Sequence, residues 1–382
     1  MNRDIIPTIQ KDLEEKMVFL SGPRQVGKTT LTYQILGAKT DSHPAYLNWD
    51  FPKVRVPLMN GDIPADQKLI VLDEIHKYHD WRNLVKGLYD QYKSSIKFLI
   101  TGSARLDYYR RGGDSIQGRY HFHRLHPFSL TEAFPNPVKS DLELLLKFGG
   151  FPEPLFKGED TFYRRWQLER QKLVLLEDMI TLEKVREVSK VELLYSALTE
   201  KVGSPLSVNS MREDLSVAHE TVEHWLQIFE NLYVIFRIPP MNSSKIRSVK
   251  KEKKMYFWDW SICRDSGPRF ENLTASHLLR YCNYREDTYG YRMDLNYIRS
   301  SDGKEVDFVV LEDGNPKFAV ECKLSEKEIS PHIKYFSERL DVPQFYQVHS
   351  GDEDYENSKF RTRVIPFIKF AQLLQEWSAF LK

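Results

Sequence analysis

Met17-Val18-Phe19-Leu20-Ser21-Gly22-Pro23-Arg24-Gln25-Val26-Gly27-Lys28-Thr29-Thr30 is the stretch that decides the fold. It opens with an apolar run, turns at two glycines, and enters a segment with helical character. Gly22 to Thr29 satisfies the pattern GxxxxGK[ST] at every fixed position, in the strand-to-helix setting the pattern requires. The physics is direct. Gly22 and Gly27 let the backbone curl past Pro23, which has no N–H of its own, so that the N–H groups of Arg24, Gln25 and Val26 face a phosphate. The helix start at Lys28, Thr29 and Thr30 adds a favourable dipole. Lys28 supplies charge to the β- and γ-phosphates, and Thr29 offers a hydroxyl to Mg²⁺. Residues 22–30 are therefore expected to bind ATP. Arg24 fits two roles, a phosphate contact or a structural hydrogen bond.

Moving outward, Lys68-Leu69-Ile70-Val71-Leu72-Asp73-Glu74 is an apolar strand ending in two carboxylates. Asp73 is the expected metal ligand and Glu74 the group that activates the attacking water. A third apolar strand ends in Thr101-Gly102-Ser103, and Ser103 is expected to sense the γ-phosphate. Strands are predicted at Met17–Leu20, Ala45–Trp49, Leu69–Leu72 and Phe98–Ile100, with helices at Thr29–Leu36 and Trp81–Tyr92. Continuous apolar strands alternating with helices imply an α/β parallel sheet. Arg119 fits two roles equally, an arginine finger for its own or a neighbouring subunit's site, or a surface salt bridge.

The whole chain has 382 residues, enough for two to three domains without a disulfide or metal staple. Lys+Arg number 55 and Asp+Glu 54, which excludes a uniformly basic nucleic-acid coat protein but not a local basic patch. Cys263, Cys282 and Cys322 form no CxxC pair and suit free thiols in a reducing cytoplasm. The first residues lack the apolar core of a signal peptide, and no apolar run is long enough to span a membrane. A cytoplasmic location is expected.

Past the prolines at 127–137, residues 161–198 are polar, charged and helical in period. Ser210–Leu215 and Ala218–Asn231 then read as a helix-turn-helix, with Tyr233–Ile238 and Lys254–Trp258 as the strands of a wing. Between them, Lys245–Lys254 holds six basic residues against one acidic, suited to phosphate contact. Glu220, Glu223 and Glu230 on the second helix are a poor match to a DNA groove. Near the end, Val306–Leu311 and Phe318–Cys322 read as a hairpin turning at Asp313–Pro316. Period two puts Glu321 and Lys323 on one face, and pairing brings Asp307 beside Glu321. Asp307 and Glu321 then suit a second divalent metal, with Lys323 at a scissile phosphate and Glu271, at the start of a helix, completing the acidic set. The same arrangement also suits a fold relative that only binds.

With these motifs in order, the chain resembles the bacterial and archaeal family of AAA+-superfamily ATPases with a C-terminal restriction-endonuclease-like domain. The likeness rests on GPRQVGKTT at Gly22–Thr30, LDEIH at Leu72–His76, DWRNLVKGLYD at Asp80–Asp90, LHPFSLTE at Leu125–Glu132 and FGGFPE at Phe148–Glu153. Gly203–Leu215, Thr221–Tyr233, Arg269–Leu279, Gly303–Val310 and Val320–Leu324 extend it. Gln117 departs from it, since the family usually has a small residue there. The resemblance implies a P-loop NTPase parallel sheet with a helical extension, then a winged helix-turn-helix, then an α+β restriction-endonuclease-like domain. The corresponding divisions are 1–135, 136–202, 203–260 and 261–382. Lys28, Thr29, Asp73 and Glu74 carry over as ATPase residues. Glu271, Asp307, Glu321 and Lys323 carry over as the nuclease-like set.

The expected function is an Mg²⁺-dependent ATPase coupling its cycle to DNA binding or processing. The alternative is a nucleotide-switched protein-interaction module without nuclease activity. Expected partners are ATP, with DNA, a protein or a second copy of the chain, and no membrane.

Overall fold

The computed structural model describes residues 3–102, 116–173, 179, 187–241, 252–325 and 328–379. The chain divides into two compact units, 1–126 and 127–382.

In the first unit, strands β1 (Met17–Ser21), β2 (Tyr46–Asn48), β3 (Leu69–Asp73), β4 (Lys97–Thr101) and β5 (Tyr120–Arg124) form one parallel sheet in the order β2-β3-β4-β1-β5. The central strands are apolar because both faces are covered: Val18, Leu20, Ile70, Val71, Leu72, Leu99 and Ile100 are fully buried. The helix Trp81–Tyr92 places Trp81, Val85 and Leu88 at helical spacing against Phe19, Ile70, Phe98 and Ile100. The strand β5 was not expected. Its sequence Tyr-His-Phe-His-Arg carries too few apolar residues to stand out as a buried strand. Parallel pairing levels Leu20 and Asp73 with Thr101, so three strands end at one edge of the sheet. That edge is where open α/β sheets bind ligands.

In the second unit, the expected helix pair is present as Val208–Leu215 and His219–Asn231. Strands β6 (Ile235–Ile238) and β7 (Lys254–Phe257) follow as an antiparallel pair. The basic stretch before Lys254 lies largely outside the described residues. A mixed sheet closes the chain: β8 (Met293–Arg299), β9 (Glu305–Glu312), β10 (Asn315–Lys323), β11 (Phe345–His349), β12 (Tyr355–Asn357) and β13 (Thr362–Pro366), ordered β12-β13-β11-β10-β9-β8. The hairpin β9–β10 turns at Asp313 and Gly314, both with positive φ (52° and 81°), the twist a two-residue turn needs. The helix beside it runs from Ser266 to Tyr289. Glu271 therefore lies in its second turn and does not begin it, because Asp265 and Ser266 start the helix earlier. The three cysteines are free, as expected.

Candidate functional site

The phosphate loop joins β1 to the helix Lys28–Leu36. Three positions with positive φ shape it: Gly22 (152°), Gln25 (63°) and Gly27 (98°). A side chain at Gly22 would collide with the Leu125 carbonyl, so glycine is needed there for space as well as conformation. Lys28 is buried, and its Nζ donates to the carbonyl oxygens of Gly22 at 2.8 Å and Pro23 at 2.7 Å. The loop thus holds its own cation at its mouth.

Asp73 ends β3 beside that loop. The Thr29 hydroxyl donates to Asp73 Oδ2 at 3.2 Å. The Tyr46 hydroxyl donates to the same oxygen, and the Thr101 hydroxyl donates to Oδ1. Asn48 in turn donates to the Tyr46 oxygen at 3.1 Å. Burial, then the charge of Asp73, pushes the Tyr46 phenol far above its ordinary pKa, so it stays a donor. Glu74 follows with a left-handed backbone, φ 56°. Its carboxylate lies 3.4 Å from Lys77 Nζ and 3.7 Å from His76 Nε2, and Lys77 also meets Asp50 at 2.6 Å. Glycine-shaped loop, ammonium, hydroxyl and carboxylate are all present, a donor set that fits a nucleotide triphosphate with Mg²⁺.

Tyr46 and Thr101 as partners of Asp73 were missed. Neither belongs to a recognisable spacing, and each reaches Asp73 only through strand pairing. Ser103 lies outside the described residues. Arg119 precedes β5, whose first residue pairs with Met17 at the start of β1. That puts it at the opposite sheet edge from the phosphate loop, about 13 Å of strand away. There it forms an ion pair with Asp90, Nε to Oδ1 at 3.0 Å. Of its two expected roles within one chain, the salt bridge is the one seen, and its own loop is out of reach.

The C-terminal carboxylates do come together. The β9–β10 register pairs Ala319 with Val309 and Val320 with Phe308, and Glu321 and Asp307 are the next residue on each strand. Asp307 Oδ2 accepts from the Cys322 amide at 2.8 Å. Glu321 Oε1 accepts from Lys323 Nζ at 2.8 Å and from the Ser330 hydroxyl at 3.2 Å, while Oε2 is buried without a partner. Burial, then the charge of Asp307, pushes both Glu271 and Glu321 up to about 7.

A fifth residue occupies this set. Lys254, at the start of β7 and 1% exposed, points its ammonium at Glu305 (2.6 Å), Glu271 (3.4 Å) and Asp307 (3.5 Å). The expected metal set of Glu271, Asp307 and Glu321 is thus interrupted by a resident cation. Among the described residues no group of three or more His, Cys, Asp or Glu is arranged to hold a metal. Lys254 was missed because it reads as the last residue of a solvated basic run.

A family described as "AAA domain" matches residues 14–134. The first unit carries an AAA-type ATPase domain. Two domains of unknown function, DUF8612 and DUF4143, match residues 139–266 and 266–370. The uncharacterized protein MJ1544 of Methanocaldococcus jannaschii is 21% identical over 95% of this chain and 91% of its own length. The uncharacterized protein Rv2008c of Mycobacterium tuberculosis is 23% identical over 68% of this chain and 58% of its own. Among solved structures, the Thermotoga maritima RuvB Holliday junction branch migration motor is 14% identical, covering 63% of this chain and 90% of that one. Its TM-score of 0.31 is too low to establish a shared fold for the chain. Among the described residues, no helix is long and apolar enough to cross a membrane.

Proposed function

We propose that this AAA-type domain is an Mg²⁺-dependent ATPase whose nucleotide cycle acts as a switch on the second unit. The observation that carries the reading is the 3.2 Å approach of Thr29 Oγ1 to Asp73 Oδ2 at the mouth of a loop that also holds Lys28. In this reading the loop amides and Lys28 bind the β- and γ-phosphates, and Thr29 and Asp73 hold Mg²⁺. When bound, the metal neutralises charge on the transferring phosphoryl group. Glu74 takes the proton from the attacking water, and the Lys77–Asp50 pair sets where its carboxylate rests. Wild-type hydrolysis of ATP with Mg²⁺, lost in Glu74→Gln while ATP binding is retained, tests these roles. Equal turnover by both proteins refutes them.

For the second unit, two readings stand. Contact with DNA through the helix pair and wing is supported by the way the helix glutamates are used. Arg237 on β6 binds Glu223 at 2.8 and 2.9 Å and Glu230 at 2.8 and 3.0 Å. These two carboxylates brace the wing and are partly neutralised. A protein-interaction module without cleavage is favoured by the ammonium of Lys254 inside the acidic set. ATPase rates with and without single-stranded, duplex and branched DNA, across salt, separate the two. Stimulation that falls with salt supports DNA contact, and rates indifferent to all three DNAs support the protein module.

A further inference from the structure

The second unit offers an acidic cluster that sequence assigns to a divalent metal. Its geometry assigns it to a lysine. Lys254 Nζ has three carboxylates around it, at 2.6 Å (Glu305), 3.4 Å (Glu271) and 3.5 Å (Asp307), and it lies 5.5 Å from the ring centroid of Tyr297. Glu305 and Asp307 share a face of β9 because they are two residues apart. Lys254 and Tyr256 share a face of β7 for the same reason, and the Tyr256 hydroxyl donates to Glu271 Oε1 at 2.7 Å. The chain closes the other side. Val202 and Pro205 bridge to Met255 and Lys254, and Gly203 lies so near Glu271 that a Cβ there would stand 2.8 Å from Oε1.

We infer that Lys254 is the resident cation of this cluster, and that Glu271 and Asp307 serve it in place of a divalent metal. A divalent ion here would need six or more oxygens at about 2.0–2.6 Å, and it would face a buried ammonium already holding three of the carboxylates. Two positive charges about 4 Å apart repel by several kcal/mol at the effective dielectric of such a site. What remains beyond Lys254 is thin. Both Asp307 oxygens are engaged, one by Lys254 and one by the Cys322 amide. Glu321 keeps a single buried oxygen without a partner, its other oxygen being held by Lys323 and Ser330. The cluster then works as an internal clasp. It ties β7 to β9 and to the helix Ser266–Tyr289 with charges that elsewhere would recruit a metal. This inference stands independently of ATP hydrolysis in the first unit.

Mn²⁺ binding to the full chain without nucleotide, followed by electron paramagnetic resonance, tests it. Wild type and Asp307→Asn are expected to bind the same number of Mn²⁺ ions. Wild type binding one more Mn²⁺ than Asp307→Asn, with both folded by circular dichroism, overturns the inference. Lys254→Gln removes the charge at similar size and is expected to gain one Mn²⁺ per chain that wild type does not bind. Adding Asp307→Asn should remove it again. The comparison of wild type with Asp307→Asn decides the matter even if Lys254→Gln does not fold.

Discussion

Thr29 Oγ1 donates to Asp73 Oδ2 at 3.2 Å, joining the first turn after the glycine loop to the end of a strand 44 residues later. Parallel pairing makes this possible, because β1, β4 and β3 end level at one edge. Tyr46 and Thr101 then fix the carboxylate from both sides.

On the proposed reading, in which Asp73 would hold Mg²⁺, Tyr46 positions that carboxylate. Tyr46→Phe keeps the ring and its edge contact with Tyr33 but removes one hydrogen bond to Asp73. A net loss of about 0.5–1.5 kcal/mol is expected. The Mg²⁺ concentration giving half-maximal ATP hydrolysis should rise several-fold. An unchanged Mg²⁺ dependence, with only a lower melting point, would make Tyr46 merely structural.

Arg119 makes an opposite prediction. It sits at the far sheet edge paired with Asp90, so Arg119→Ala should hydrolyse ATP at the wild-type rate. If the rate instead falls, mixing Arg119→Ala with Lys28→Ala subunits distinguishes a finger acting between copies. Recovered activity in the mixture would assign it that role.

The pH dependence of stability follows from the acidic cluster. Glu271 and Glu321 are pushed up to about 7 by burial and by Asp307, so the folded state binds more protons than the unfolded chain between about 4.5 and 7. Their contribution is fully present below the unfolded carboxyl pKa and is lost as pH rises through about 7. Denaturant midpoints measured from pH 5 to 8 should fall less steeply in Glu271→Gln and Glu321→Gln than in wild type. Identical slopes in all three would refute the assignment.

His277 works with the opposite sign. Its Nδ1–H donates to the Leu273 carbonyl at 2.8 Å and its Nε2 accepts from the Leu130 amide at 3.0 Å, which fixes a neutral ring. Burial pushes its pKa down to about 3. Its contribution is present above the unfolded value near 6.5 and declines as pH falls from there towards 3. His277→Gln should flatten the acid limb of the stability curve below pH 6, at a general cost of about 1–3 kcal/mol. A midpoint profile parallel to wild type would contradict this.

How much of this was legible in the sequence divides by the range of the signal. Gly22, Gly27, Lys28 and Thr29 lie within one loop, and Asp73 and Glu74 end one apolar strand, so local pattern was enough. The hairpin with Asp307 and Glu321 was legible for the same reason, since period two and a turn fix it. Tyr46, Thr101 and Lys254 were not, because each acquires its role only by meeting a carboxylate from a distant strand or helix. Arg119 was left between two roles because sequence does not say which sheet edge a residue occupies. Glu271 was placed one turn too early because the Ser-Gly-Pro start of its helix resembles a loop.

The proposed function requires the loop at Gly22–Thr30, with Lys28 at its mouth, to be a working ATP site. The most direct measurement is phosphate release from ATP and Mg²⁺ by wild type and Lys28→Ala at equal concentration. Wild type should turn over, and Lys28→Ala should be slower by about 10²–10³-fold, the scale of losing one preorganised charge stabiliser. Equal rates in the two proteins would show that Lys28 does not serve ATP hydrolysis.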